Sequence, residues 1–166
     1  EEERVNANSE IEVLARGVCV MKGKLLVCQT RGSVITYLPG GHVEFGEGAA
    51  VALAREIEEE LGLACRVDRF LGCAEHRFRQ KRRMHTEVNL IFAMSLQGAT
   101  PEKAPPSREG HLAFYWIPMA DLTAGRLEPA PLQRALPLWC RRRGAAPWVS
   151  TIFFEAGERR RKGRQP

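Results

Sequence analysis

The stretch that decides this fold covers residues 40–63 and reads GGHVEFGEGAAVALAREIEEELGL. After two glycine-containing breaks, the apolar residues recur at the 3.6-residue period of an amphipathic helix, which predicts a helix over residues 49–61. Gly62 follows directly, where a left-handed C-terminal cap belongs. The apolar face of this helix is predicted to comprise Ala50, Leu53, Ala54, Ile57 and Leu61.

Three carboxylates share one side of this predicted helix. With Glu56 at zero and about 100° per residue, Glu60 lies near +40° and Glu59 near −60°, beside the apolar face. Like charges at these spacings repel by a few tenths of a kcal/mol per pair. Arg55 is the only cation within residues 55–63, and it can pair with Glu59 at i+4. The sequence therefore predicts that Glu56 and Glu60 lack a compensating charge.

A hard divalent cation would supply that charge. Carboxylate oxygens, backbone carbonyls and waters are the ligands that Mg²⁺ accepts, commonly together with substrate phosphates. The Gly40-Gly41 turn can bring a backbone carbonyl against the helix, because glycine tolerates unusual backbone angles. The alternative to a cation site is an acidic helix face that contacts only solvent.

Elements outside this stretch predict a mixed α/β (α+β) fold. A glycine-containing turn at residues 22–24 suggests a hairpin of two strands, and a second helix candidate contains Pro137. Residues 99–110 form a long proline-containing loop, a type that is often functional. The basic residues 77–83 connect two strands or form the end of a long hairpin. The predicted strands cover residues 11–20, 25–29, 34–38, 42–45, 65–76, 87–96, 112–117 and 148–154, and the second helix covers residues 132–142.

Length and charge narrow the class of protein. The chain has 166 residues and 18.6 kDa, enough for one domain, and 44% of its residues are apolar. No segment is long and apolar enough to cross a membrane, so we expect no membrane partner. The net charge is +5, of which residues 158–164 alone carry +4, so the body is close to neutral and no specific nucleic acid is expected.

The ends and the cysteines predict a cytoplasmic protein. The acidic first residues do not resemble a secretory signal. The five cysteines are widely spaced and contain no C-x-x-C motif, which favours free thiols in a reducing compartment.

Residues 41–63 resemble the signature of the Nudix hydrolases, G-x5-E-x7-R-E-U-x-E-E-x-G-U, where U is aliphatic. The preceding Leu38-Pro39-Gly40 is also typical of that family. The signature covers 23 of the 166 residues. Every fixed position is matched, by Gly41, Glu47, Arg55, Glu56, Ile57, Glu59, Glu60, Gly62 and Leu63.

The resemblance implies a three-layer α/β/α sandwich with a mixed central sheet. It also implies hydrolysis of the pyrophosphate bond in a nucleoside diphosphate linked to another group, with Mg²⁺ or Mn²⁺ as cofactor. Glu56, Glu60 and the Gly40 carbonyl would be metal ligands. Residues 1–157 would form the single domain, and residues 158–166 a flexible basic tail.

The resemblance also assigns residues that support the reaction. Glu59 would be a further ligand or lie one shell out, partly held by Arg55, and Glu47 would reach back to orient the helix. The family places its general base outside the signature. Glu109, in the long loop, is our first choice for that base, and Glu87 is the alternative.

Substrate contacts are predicted from the basic segment and the signature. Arg77 and Arg79 would meet phosphate or ribose, Phe78 between them could stack on a base, and His42 could touch a phosphate. The alternative for the basic segment is a hairpin end that contacts only solvent. The substrate is a small nucleotide, which the sequence leaves open among a nucleoside triphosphate, a nucleotide sugar and a dinucleotide or capped nucleotide. Many members of the family form homodimers, and no residue here decides that question.

Two other functions remain open at this stage. Some Nudix-like domains sense nucleotides without catalysis, and such a module would bind without turnover. The tail could instead bind RNA through charge alone, in which case affinity would fall steeply with salt and would not depend on the glutamates.

Overall fold

The computed structural model describes residues 10–141 and 148–152. This part of the chain contains eight strands and two α-helices, with a 3-10 turn at Met119–Asp121. In chain order they are β1 (Ile11–Val18), β2 (Val20–Met21), β3 (Lys24–Thr30), β4 (Gly40–His42), α1 (Ala49–Leu61), β5 (Cys65–Gln80), β6 (Arg83–Leu96), β7 (Leu112–Pro118), α2 (Leu132–Cys140) and β8 (Trp148–Ser150).

The strands form two sheets. The larger has the order β4-β1-β6-β5-β8, and the smaller has the order β2-β3-β7. β1 is parallel to β6 and β5 is parallel to β8, whereas the other pairings are antiparallel. The predicted mixed sheet is therefore confirmed.

Two apolar clusters hold the helices on opposite sides of the strands. β3 is buried on both faces, because Leu25 and Val27 pack into the cluster of α2 while Leu26 and Cys28 pack into the cluster of α1. Successive strand residues point to opposite faces, so the strands must lie between the two helices. This is the predicted three-layer arrangement.

Three strand predictions were wrong in detail. Residues 11–20 do not pair with residues 25–29 as one hairpin, because only the short β2 pairs with β3, while β1 joins the other sheet. Residues 34–38 form isolated bridges at Thr36 and Tyr37 instead of a strand. The strand predicted for residues 42–45 instead covers Gly40–His42, so the two glycines belong to a strand that we expected them to precede.

Close approach of two backbones explains why glycine occupies this strand. Gly40 has a φ of 119°, and a Cβ there would collide with the carbonyl oxygen of Ala15 on β1. Glycine within a strand often marks such an approach. The helix prediction was accurate, since α1 ends at Leu61 and Gly62 caps it with a φ of 66°.

The basic segment forms the end of a long hairpin. β5 and β6 pair from Cys65↔Leu96 to Gln80↔Arg83, and the turn between them consists of Lys81 and Arg82. Both turn residues have positive φ, 45° and 67°, which non-glycine residues rarely adopt.

Some predictions lie outside the described residues. They include the basic tail at residues 158–166 and the end of the strand predicted for residues 148–154. The domain boundary at residue 157 stays a prediction. Within the described residues, no helix combines the length and apolar character needed to span a bilayer.

Candidate active site

A cleft of about 660 Å³ brings together most of the residues that the sequence singled out. The predicted metal ligands Gly40, Glu56 and Glu60 line it, and so do both candidate bases, Glu109 and Glu87. Of the predicted substrate contacts, His42 and Arg79 also line this cleft.

Glu60 is in the cleft because the buried face of α1 is rotated toward the carboxylates. Ala52 is buried in place of the predicted Ala50, which is exposed. With about 100° per residue, the buried residues centre closer to Glu60 than the predicted face did. The side chain of Glu60 is consequently only 6% exposed.

Burial dominates the electrostatics of Glu60. Removal from water raises the pKa of its carboxyl group to about 7, and the charges of Glu56 and Glu109 act in the same direction. The guanidinium of Arg16 and the backbone N–H of Gly40 oppose this rise. Oxygen Oε2 of Glu60 is buried and has no hydrogen-bond partner among the described residues.

Gly41 allows the Glu56 carboxylate to lie directly against the backbone of β4. A Cβ at position 41 would be 2.5 Å from Oε2 and 2.7 Å from Oε1 of Glu56. Real Cβ atoms essentially never come so close to an oxygen, so any other residue would displace the carboxylate.

Arg55 connects the loop before α1 to the helix and does not line the cleft. Its Nε and Nη2 donate to the two carboxylate oxygens of Glu47, each at 3.0 Å, and Nη2 also donates to the His42 carbonyl at 3.1 Å. Its Nη1 donates to Glu56 Oε1 at 2.9 Å and to Glu59 Oε2 at 3.2 Å.

These bonds correct one sequence-based argument. Glu56 has a counter-charge in Arg55, and Glu60 faces the charge of Arg16, which lies 44 positions earlier in the chain. Glu59 is mostly exposed and, like Glu47, does not line the cleft. The Arg55 guanidinium lowers the pKa of the Glu47 carboxyl group.

The long loop at residues 99–110 positions Glu109. The backbone N–H of Arg108 donates to the carbonyl of Glu60 at 2.7 Å, which attaches the loop to the end of α1. Ser107 Oγ donates to the Glu109 carbonyl at 2.8 Å. The Glu109 carboxylate lies 3.4 Å from Nε2 of His111, and both residues line the cleft.

Glu87 occupies a different part of the cleft wall. Its Oε2 accepts a hydrogen bond from Nδ2 of Asn89, which is only 3% exposed. Glu109 contributes to the field at Glu60, whereas Glu87 is not among the main influences there. Glu109 is thus better placed than Glu87 to act beside the buried carboxylate.

Arg16 is the cleft residue that sequence reasoning missed. It is the only cation in the mostly apolar strand sequence IEVLARGV, which was the available signal. Its Nη1 donates to the Gly40 carbonyl at 2.6 Å, and its guanidinium lies 5.4 Å from the centre of the Tyr37 ring.

The aromatic side chains of the β5–β6 hairpin are already stacked on one another. Phe78 lies between His76, at 4.8 Å between ring centres, and His85, at 5.2 Å. Phe78 also lines the cleft, so these two contacts leave its stacking on a base as a prediction. Arg77 is exposed and does not line the cleft, whereas Arg79 does.

His42 lies at the edge of the cleft, where it and His85 both contact the carboxylate of Glu12. Its Nε2 is 2.7 Å from Oε2 of Glu12, while Nδ1 of His85 is 3.0 Å from Oε1 of the same residue. The two imidazoles lower the pKa of the Glu12 carboxyl group. This bridge joins β4, β1 and β6.

The donor set fits a hard divalent cation. Glu56, Glu60 and the Gly40 carbonyl are all oxygen donors, as Mg²⁺ and Mn²⁺ prefer. Oε2 of Glu60 is a buried carboxyl oxygen without a hydrogen-bond partner among the described residues, and such a cation would satisfy it. Among residues 10–141 and 148–152, no three His, Cys, Asp or Glu side chains already converge as a metal-binding group. The proposed set differs from such a group because it has two carboxylates and takes its third donor from the backbone.

Comparison with known proteins agrees with this geometry. A family model described as NUDIX domain matches residues 11–138. A MutT Nudix hydrolase from Burkholderia pseudomallei is 25% identical, with a TM-score of 0.57 over 80% of this chain and 98% of that chain.

Two further solved structures are similar in fold. A MutT protein from Methanosarcina mazei Go1 is 17% identical, with a TM-score of 0.63 over 83% of this chain and 99% of that chain. An ADP-ribose pyrophosphatase from Streptococcus suis 89-1591 is 18% identical, with a TM-score of 0.53 over 84% of this chain and 96% of that chain. At these identities the likeness shows the fold alone.

Proposed function

This chain belongs to the Nudix family of hydrolases, and on that premise we propose that it hydrolyses the pyrophosphate bond of a nucleoside diphosphate linked to another group. The predicted family is confirmed, since the match includes the whole signature at residues 41–63. One observation carries the proposal: Glu56, Glu60 and the Gly40 carbonyl share a single cleft with Glu109.

We assign Mg²⁺ or Mn²⁺ to Glu56, Glu60 and the Gly40 carbonyl, with Glu59 one shell further out. When bound, the cation neutralises phosphate charge and lowers the pKa of a coordinated water. Glu60 supports this assignment most directly, because its buried oxygen has no hydrogen-bond partner among the described residues.

Glu109 is the proposed general base. It takes a proton from the attacking water, whose oxygen forms a new bond to phosphorus while the anhydride P–O bond breaks and the leaving phosphate keeps the electron pair. The attachment of the loop to α1 through Arg108 supports this role, because it holds the residue before Glu109 against the end of the helix. His111 can orient the Glu109 carboxylate from 3.4 Å.

Glu47 and Arg55 act as positioning residues in this proposal. Their paired hydrogen bonds fix a planar arrangement, and Arg55 extends it to Glu56. Loss of either residue would free the Glu56 carboxylate to rotate, and the chemistry would slow although neither side chain touches the substrate.

The substrate is proposed to be a nucleotide, such as a nucleoside triphosphate, a nucleotide sugar or a dinucleotide. The cleft volume of about 660 Å³ lies within the range typical of small-molecule sites. Arg79 and His42 are the proposed contacts to phosphate or ribose, because both line the cleft whereas Arg77 does not. The five unpaired cysteines support a reducing compartment, so we propose the cytoplasm.

A nucleotide panel tests the proposed function. Each compound is incubated with Mg²⁺, with Mn²⁺ and with a chelator, and the nucleoside monophosphate product is separated by chromatography and quantified. We expect metal-dependent turnover that is lost in Glu60→Gln and retained in Glu58→Gln, an exposed acid on the same helix. Tight binding without turnover would instead indicate a nucleotide-sensing module and would overturn the catalytic proposal.

A further inference from the structure

Arg16 has two unused hydrogen-bond donors inside the cleft. A guanidinium carries five N–H donors. Nε donates to Asn89 Oδ1 at 3.2 Å, and the two hydrogens of Nη1 are taken by the carbonyls of Gly40 at 2.6 Å and Leu38 at 3.2 Å. The two hydrogens on Nη2 make no hydrogen bond to the part of the chain that the structure describes.

The guanidinium is held in one orientation before any ligand arrives. Asn89 is buried, and its amide is fixed in turn by Nδ2, which donates to the Ala74 carbonyl at 3.4 Å and to Glu87 at 3.3 Å. The Tyr37 ring lies 5.4 Å from the guanidinium carbon. An arginine constrained on this many sides loses little side-chain entropy when it binds a further group.

The charge of the cleft makes such a donor necessary. Five carboxylates line it, whereas the only arginine or lysine side chains in the described lining are Arg16 and Arg79. A pyrophosphate brings further negative charge into this surrounding. Arg16 lies against the Gly40 carbonyl and close enough to Glu60 to act on its charge, so its cation lies beside two of the proposed metal ligands. The five carboxylates are Glu56, Glu60, Glu87, Glu109 and Glu128.

We propose that Arg16 binds a phosphate of the substrate through Nη2, and that Asn89 is a positioning residue that holds the guanidinium for it. This inference rests on the proposed function, because it deepens the description of the same site. Arginine suits the task better than lysine, since two planar donors on one nitrogen edge match phosphate oxygens, whereas an ammonium is a point charge.

Imidodiphosphate, a pyrophosphate mimic with a non-hydrolysable bridge, tests phosphate recognition without turnover. Its dissociation constant is measured by calorimetry in Mg²⁺ for the wild type and for Arg16→Lys. Loss of a charge-assisted hydrogen bond predicts about 10- to 100-fold weaker binding. Binding of Mn²⁺ alone, measured by electron paramagnetic resonance, is expected to change less than about threefold, because the glutamate ligands are intact.

Arg69→Lys is the matched control. Arg69 is also partly buried and donates through Nη2 to two carbonyls, those of Trp139 and Cys140, but it does not line the cleft. We expect this variant to bind both probes like the wild type. Thermal unfolding of each variant confirms that it is folded.

Asn89→Ala provides a second test of phosphate binding by Arg16 if Arg16→Lys does not fold. It removes the partner of Nε and leaves Nη2 in place, so we expect about three- to tenfold weaker imidodiphosphate binding. In the double variant the Asn89 substitution should have little further effect, because the two residues act as one unit.

Two results would overturn the inference. One is imidodiphosphate affinity within about threefold of the wild type in Arg16→Lys. The other is an equal loss of Mn²⁺ affinity, which would limit Arg16 to holding the Gly40 carbonyl. If the wild type hydrolysed no nucleotide but still bound imidodiphosphate through Arg16, the proposed function would be overturned and the phosphate site would stand.

Discussion

Replacement of Glu60 by glutamine should make the metal-free protein less sensitive to pH. The pKa of the Glu60 carboxyl group rises from 4.5 to about 7 on folding, because burial disfavours the charged form. At 1.36 kcal/mol per pH unit, this difference corresponds to about 3 kcal/mol of folding free energy. The side chain is only 6% exposed, so solvent screening reduces this value little.

The sign follows from proton binding. Between pH 4.5 and about 7 the folded protein holds the Glu60 proton more tightly than the unfolded chain, so the free energy of unfolding falls as pH rises. The contribution is fully present below pH 4.5 and is lost above about pH 7. Glutamine cannot ionise, so the variant should lack this part of the slope, whatever constant cost its buried amide adds.

Urea unfolding in a chelator between pH 4.5 and 8.5 measures the effect. The stability of the wild type should fall by about 3 kcal/mol relative to Glu60→Gln across this interval. The control is Glu58→Gln, an exposed acid of the same helix, which should follow the wild type. If the free energies of unfolding of the wild type and of Glu60→Gln changed in parallel with pH, the claim that burial raises the pKa of Glu60 would be refuted.

Three further predictions concern the site and the hairpin. Glu109→Gln should lower kcat by about 10²- to 10⁴-fold with little change in KM, and steady-state kinetics that show a larger loss for Glu87→Gln would exchange the two roles. Gly41→Ala should displace the Glu56 carboxylate and weaken Mn²⁺ binding about tenfold or more, as followed by paramagnetic resonance, and unchanged affinity would contradict the close packing. Lys81→Asn combined with Arg82→Gly should stabilise the hairpin by about 1–2 kcal/mol, because both residues have positive φ and Asn-Gly favours this turn. Chemical denaturation tests the gain, and kcat/KM should not change since neither residue lines the cleft.

The signature could be predicted from sequence because it is local. The helix and its glycine cap depend on residues within one segment, so α1 was placed correctly from Ala49 to Leu61. The strand partners were harder, because pairing joins distant segments. A periodic apolar pattern cannot show that β1 pairs with β6 across more than 70 residues.

The charge balance of the site was predicted wrongly for the same reason, because it depends on contacts between distant segments. Counting cations along the helix found Arg55 but could not find Arg16, which reaches Gly40 from a neighbouring strand. The rotation of the buried face of α1 could not be predicted either, since Ala50 and Ala52 are equally apolar and only packing against the sheet selects between them.

The two arginines explain why this acidic cluster is compatible with a folded chain. Arg55 is at the edge, where its bonds to Glu47, Glu56 and Glu59 join the loop to the helix. Arg16 is inside, where it faces Glu60 and uses backbone carbonyls as its partners. Neither gives Glu60 Oε2 a hydrogen bond, so one buried carboxyl oxygen stays unsatisfied. A buried polar atom of this kind costs stability, and a cation that binds only the folded state would offset that cost. We therefore expect metal binding to stabilise the fold through the same oxygen that the proposed chemistry requires.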